Sequence, residues 1–308
     1  MQSTTRLKGN LMIIAATIIW GAGMSAQSAG MGYVSPLTFN AARFFIGGTM
    51  ALFPALYFLR QQKVQPQDNS VPRAISSKTI FAGLICGLVL CLAINLQQFG
   101  IVFTTVANAS FITSLYVIMV PIVCLVVFKQ KAPIFVWMGV LVAIAGMYFL
   151  SFSDGININI GDILIFLCAM AFTAQILVIS HFSPKHNVLA LACVQFYTVF
   201  AVSLILAFIF ETPSMADLVA AAPYVLYTGV LSSGVAYILQ MKAQKTTEPM
   251  VAAVLFSFES VVATVTGWFV LNQVLTPAQM LGCALIFVAI LVAQIPAKTK
   301  NIQKELAR

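Results

Sequence analysis

Charge is scarce in this sequence. Only 8% of its 308 residues are charged, against roughly 25% in soluble domains, while 61% are hydrophobic and the mean hydropathy is +0.99. A soluble fold of that composition would expose large apolar patches, so soluble domains are excluded and the bilayer must be the solvent. Histidine is scarcer still: His181 and His186 share the short loop "HFSPKHN" without a nearby acid. That removes the nucleophile with its base, or the His/acid cluster, that a membrane enzyme would need. No Gly-rich phosphate loop is present either, which argues against direct ATP hydrolysis. The six cysteines (Cys86, Cys91, Cys124, Cys168, Cys193, Cys283) lie inside apolar runs and form no CxxC pair. They read as small packing residues, not as disulfides or metal ligands. No metal, no cofactor and no catalytic residues are expected.

What the chain does have is long apolar runs. A spanning helix needs about 20 mainly apolar residues, and ten such stretches can be placed: 9–29, 36–59, 79–99, 107–128, 133–152, 161–181, 188–210, 222–241, 249–271 and 277–296. Arg6 and Lys8 ahead of "LMIIAATIIWGAG" give the first stretch the look of a signal peptide. Nine further spans follow it, so it reads as an uncleaved first helix. The runs are continuous, without the alternation of barrel strands. The expected fold class is an all-α integral membrane protein with ten transmembrane helices.

Positive charge near a span is retained in the cytoplasm. With the N-terminus inside, fifteen of the sixteen Lys and Arg residues fall on the inner side, from Arg6 and Lys8 to the tail Lys298, Lys300, Lys304 and Arg308. The outer loops receive none, and hold Asp154, Asp162, Glu211 and Asp217. The +8 net charge therefore reports topology and contact with anionic lipid, and nucleic-acid binding is a poor reading of it. Arg43 alone is left within the membrane.

The sequence also repeats. An offset of 152 pairs Gly9 with Gly161, Ala22 with Ala174, Leu37 with Leu189, Phe44 with Phe196, Leu52 with Leu204 and Phe58 with Phe210. An offset of 143 then continues without gaps, pairing Gln97 with Gln240, Thr104 with Thr247, Ala109 with Ala252, Ser114 with Ser257 and Gly139 with Gly282. The change of register falls in the charged segment 60–78. Two halves, 1–153 and 154–308, are expected. Five helices is an odd number, so the second half must enter the membrane the other way up. Inverted five-helix repeats are an architecture of secondary transporters, with a site near the midplane and alternating access.

Two ionisable residues lie deep in spans. Arg43 sits seven residues beyond Pro36, about 10 Å along a helix, so its side chain either snorkels to the outer headgroups or faces the interior to meet an anion. Its repeat partner, Gln195, keeps polarity without charge. Glu259 sits ten residues after Pro249, about 15 Å in, where ionised groups are most costly. It reads as a proton carrier, as the partner of a substrate ammonium, or as a protonated hydrogen-bonding group between helices. Its repeat partner is Tyr116. Cys91, Asn95 and Gln98 share a face by their spacing, with Gln97 turned away from them, and Thr113 shares a face with Tyr116. Such groups either join helices or line a cavity.

The chain resembles permeases of the drug/metabolite transporter superfamily, of the EamA-like, ten-helix type. The likeness rests on "IIWGAG" at 18–23, "ARFFIGG" at 42–48, "QQFGIVFTTVANASFITSLYVIMVPI" across the third and fourth helices, and "TEPMVAAVLFSFESVVATVTGWFVLNQVLTPAQMLGCALIF" across the ninth and tenth. There are two departures: Phe172 stands where the family often has Trp, and "LNQ" at 271–273 where it often ends in Gly-Glu. The resemblance implies an inner-membrane carrier of small molecules with a central cavity between its halves, and it adds Trp20, Gln175, Tyr237 and Gln240 to the lining. An aromatic and amide lining with at most two charges suits a zwitterionic or amphipathic metabolite. The expected function is export of amino acids or related metabolites across a bacterial inner membrane, both termini cytoplasmic, with the proton as coupling ion. Drug efflux and metabolite or cofactor import are the alternatives.

Overall fold

The computed structural model describes residues 2–64, 76–151, 159–271 and 276–295. The side chains of Arg60 and Lys63, all of Arg73, Asp154, Asn272 and Gln273, the cationic tail from Lys298 to Arg308, and the expected boundary between halves at 153/154 lie outside that description.

The described residues form α1 (Gln2–Gly30), α2 (Pro36–Val64), α3 (Ser77–Phe103), α4 (Val106–Thr113), α5 (Tyr116–Val126), α6 (Ile134–Ser151), α7 (Ile160–Phe182), α8 (Val188–Phe210), the short α9 (Met215–Ala220), α10 (Ala222–Tyr227), a π-helical stretch (Thr228–Ala236), α11 (Tyr237–Ala243), α12 (Pro249–Phe256), α13 (Phe258–Leu271) and α14 (Pro277–Ala293). No strand occurs among the described residues. Seven helical runs are long and apolar enough to cross a membrane, and the apolar helices Ile134–Phe149 and Pro277–Ala293 are shorter. Each expected span has its helix or helix set, with α4 and α5, the α10–π–α11 run, and α12 and α13 each acting as one pass. Starts are set by local chemistry: proline occupies the first turn of α12 and α14, where its missing N–H is no loss. Asn159 with Asp162 and Thr276 with Gln279 form reciprocal capping boxes on α7 and α14.

Large apolar side chains face outward all around the bundle, among them Phe53, Phe81, Leu141, Phe208 and Trp268. In water these would be a liability; against lipid they are the matching surface. Packing inside follows the repeat. α2 lies on α8 and α6 on α14, each helix meeting its own repeat partner, while α3 lies on α7 as α1 lies on α11 and the π stretch. α1 meets α12 and α13 as α7 meets α4 and α5. The most extensive of these contacts thus recur in pairs related by the two offsets. The approach is close at Gly9 and Gly161, which the offset of 152 pairs. A Cβ on Gly9 would stand 2.6 Å from the Thr247 hydroxyl oxygen, and one on Gly161 would stand 2.7 Å from the Gly100 carbonyl oxygen.

Two passes that the sequence presents as continuous are broken. Pass four tightens at Ser114 and Leu115, where Leu115, Val117 and Ile118 each donate to the carbonyl three residues back. Pass nine does the same at Ser257, through Ser257 to Val254 and Ser260 to Ser257. The Ser257 hydroxyl also donates to the Val254 carbonyl at 2.6 Å, a side-chain bond that competes with regular helix. The breaks fall at positions paired by the offset of 143.

Candidate functional site

The broken passes meet at their breaks. Ser114 Oγ and Ser260 Oγ are 2.7 Å apart, and Ser260 Oγ donates to the Ser110 carbonyl at 3.4 Å. Just past the breaks stand Tyr116, first residue of α5, and Glu259, second residue of α13. Both line a cavity with about 470 Å³ of empty space, together with Trp20, Gln27, Arg43, Ile94, Gln97, Thr113, Phe172, Gln175, Ile176, Ser232, Tyr237, Gln240 and Phe256. Side chains from α1, α2, α3, α4, α5, α7, the π stretch, α11, α12 and α13 therefore meet there.

Aromatic rings form a connected wall. Trp20 lies 4.8 Å from Tyr237 and 5.7 Å from Phe256 between ring centroids. Phe256 meets Tyr116 edge-on at 6.2 Å, and Tyr237 meets Phe44 at 6.0 Å. The Arg43 guanidinium carbon sits 5.2 Å from the Phe44 ring centre and 5.7 Å from that of Phe39. Such cation–π contacts supply about 0.5–2 kcal/mol each, which leaves the hydrogen-bonding needs of the guanidinium unmet. Arg43 is 1% exposed, so the snorkelling reading does not hold: the side chain turns inward, under two phenyl rings. Its Nε and Nη2 have no hydrogen-bond partner among the described residues.

Glu259 is 8% exposed and makes no hydrogen bond or ion pair among the described residues. The ion pair found there joins Arg6 and Glu248 at 3.6 Å, at the bundle's end. Arg43 and Glu259 thus share a cavity without neutralising each other, and Tyr237 lines the same cavity.

Among the other residues singled out from sequence, Trp20, Gln97, Thr113, Tyr116, Gln175, Tyr237 and Gln240 line the cavity. Asn95 and Gln98 do not. Asn95 accepts from Asn40 Nδ2 at 2.8 Å and donates to Ser203 Oγ at 3.1 Å, which joins α2, α3 and α8. Gln98 is fully buried and donates to the Gln27 carbonyl at 3.5 Å. The face of α3 that meets the cavity is that of Ile94 and Gln97, three apart, and not that of Cys91, Asn95 and Gln98, from which Gln97 is turned away. α3 is buried on several sides, so its spacing could group residues without saying which group faces the opening. Gln27, Ile94, Phe172, Ile176, Ser232 and Phe256 were not picked out as lining residues. Gln27 carried a signal, as the amide in "SAQSA" among small residues.

The site is a mixed aromatic and amide chamber, enclosed in a helical bundle with a lipid-facing exterior: this is a multi-pass membrane transporter. The EamA-like transporter family model matches the chain twice, over residues 7–152 and 159–294. A protein of Archaeoglobus fulgidus described as an uncharacterized transporter is 33% identical over 294 residues, covering 96% of this chain and 88% of the relative. The uncharacterized transporter YoaV of Bacillus subtilis is 24% identical over 286 residues, covering 91% and 94%. A crystal structure at 17% identity superposes with a TM-score of 0.75 over 93% of this chain and 96% of its own, which speaks for the fold. The chain belongs to the EamA-like transporter family, within the drug/metabolite transporter superfamily, and is not an enzyme.

Proposed function

We propose that this protein is a proton-driven secondary carrier that exports amino acids or related zwitterionic metabolites by alternating access. The halves 1–153 and 154–308 would be the moving units, both termini lying in the cytoplasm of a bacterial cell. The observation that carries the reading is the unpaired coexistence of Arg43 and Glu259 in one chamber. Each buried guanidinium N–H without an acceptor costs about 1–3 kcal/mol, so a ligand carboxylate arriving at Nε and Nη2 recovers that free energy in charge-assisted bonds. Glu259 then serves the ligand's ammonium or exchanges a proton, and the aromatic wall and the amides of Gln97, Gln175 and Gln240 take the remainder. Thr113 and Tyr116 complete the polar rim of that wall.

The experiment is thermal stabilisation of the purified protein against amino acids, nucleosides, vitamins and hydrophobic cations, because a ligand that binds only the folded state raises the melting temperature. A shift by zwitterions that disappears in Arg43→Ala supports the reading. The Trp20–Tyr237–Phe256 wall beside Glu259 also favours a second reading, efflux of hydrophobic cations. A shift by cations alone, removed by Glu259→Gln, would replace the first reading with the second.

A further inference from the structure

The eighth pass carries nine residues of π-helix, Thr228–Ala236, before α11 resumes at Tyr237. π turns usually enter a helix as local bulges and gather at functional sites. Within this stretch the carbonyl of Ser232 accepts the indole N–H of Trp20, from a different helix, at 3.2 Å.

The other half is built differently. The offset of 143, which runs without gaps, pairs Thr228–Ala236 with residues 85–93, and these lie within the unbroken α3. Equal length means that the bulge is not an inserted residue: the same number of residues forms regular helix in one half and π-helix in the other. The offset of 152 pairs Trp20 with Phe172, which also lines the cavity and has no N–H to give. The half whose ring can donate a hydrogen bond to this pass is the half whose pass is bulged.

The register of α11 depends on that bulge, since regular helix advances about 100° per residue. In the bulged register Gln240 and Gln175 exchange two amide bonds, at 3.1 and 3.4 Å. One turn on, Gln244 donates to Ser180 Oγ at 2.9 Å and to the Ile176 carbonyl at 3.1 Å. These bonds bridge α7 and α11 from the cavity wall, where Gln175 and Gln240 stand, toward the C-terminal ends of the two helices. Straightening the π stretch turns Gln240 and Gln244 away from their partners and unzips the seam.

We propose that Trp20 is a positioning residue which, through Ser232, holds the eighth pass in its bulged register and so keeps the α7–α11 seam closed, a bias that Phe172 cannot give the other half. The inference rests on the carrier reading only for its purpose, the shutting of one access route; its test needs no substrate. In a cysteine-free background, spin labels are placed at Lys185 and Lys245, exposed residues near the ends of α7 and α11, and at their repeat counterparts Tyr33 and Val102. Distance distributions are recorded for the wild-type ring, for Trp20→Phe, and for benzothienylalanine at position 20 with Trp137→Phe and Trp268→Phe. That sulfur isostere removes the N–H and keeps the ring volume, so it carries the test alone should Trp20→Phe fail to fold. Loss of the N–H is expected to raise the longer Lys185–Lys245 population by about fivefold, the weight of one hydrogen bond, with Tyr33–Val102 unchanged. A wild-type distribution in the isostere overturns the proposal even if transport is later shown. A shifted distribution supports it even if no flux of zwitterions is found.

Discussion

Tyr116 and Glu259 hold equivalent places in the two halves: each stands just past the break in its pass, each lines the cavity, and the Ser114–Ser260 contact of 2.7 Å pins the breaks together. In the first half that position carries a phenol, which cannot take part in proton exchange at neutral pH, and in the second a carboxylate, which can.

Glu259→Gln is therefore expected to leave the protein folded, because the amide has nearly the same shape and Glu259 has no ion-pair partner among the described residues to lose. Coupled transport should fall to background in proteoliposomes under an imposed pH gradient, while exchange of substrate across an equilibrated membrane persists. Equal coupled rates in Glu259→Gln and wild type would end the coupling role.

Arg43 gives a second prediction. Arg43→Ala should abolish ligand-induced stabilisation, and Arg43→Lys should retain binding weakened about tenfold, since an ammonium cannot reproduce the forked geometry toward a carboxylate. Melting curves across a ligand titration measure this. Identical affinities in all three proteins would leave Arg43 with packing against Phe39 and Phe44 alone.

How far these features were legible from sequence differs by level. The spans read well because continuous apolar runs end at prolines and polar loops, as at Pro36, Pro249 and Pro277. The breaks at Ser114 and Ser257 did not, because residues in a broken pass have the same composition as those in a straight one. Nor did the π stretch, which has no proline and no inserted residue to mark it. Arg43 stood out as a lone cation, yet the sequence left its direction open. What decides it is the phenyl pair of Phe39 and Phe44, and Phe39 lies on the neighbouring turn. Gln97 and Gln98 differ by one step of about 100°, too little for spacing to choose between faces of a helix buried all round.

His186 lies between the sixth and seventh passes, with Nδ1 3.0 Å from Thr79 Oγ1. Burial first, and the charge of Lys185 second, push its pKa below the ordinary 6.5. The unfolded chain therefore takes up the proton first as pH falls, so this contribution is present above about 6.5 and fades below it. The melting temperature should drop between pH 7.5 and 5.5, and His186→Gln, which keeps a polar partner for Thr79, should shrink that drop. An unchanged slope would exclude His186 as its source.

Gly21 and Gly23 lie two residues apart on α1, yet only one of them supports the site. A Cβ on Gly21 would stand 2.5 Å from Val262 Cβ and 2.7 Å from the Glu259 carbonyl oxygen, whereas on Gly23 the nearest atom would be 3.7 Å away, on Tyr227. The Gly21 contacts are with Val262 Cβ and the Glu259 backbone carbonyl of α13, neither of which can swing aside as a side-chain tip would. Gly21→Ala should therefore push α13 outward, carry Glu259 with it, and destabilise the protein by about 1–3 kcal/mol, the usual range for overpacking. Gly23→Ala meets ordinary van der Waals contact and gains helix propensity of about 1 kcal/mol, so it should be neutral or slightly stabilising. Melting temperatures of the two variants, read beside coupled transport, test this. A loss of coupling in Gly21→Ala with its fold retained would show that α1 sets the position of Glu259 through backbone contact. Equal behaviour of the two variants would mean that the α1–α13 interface yields without moving the carboxylate.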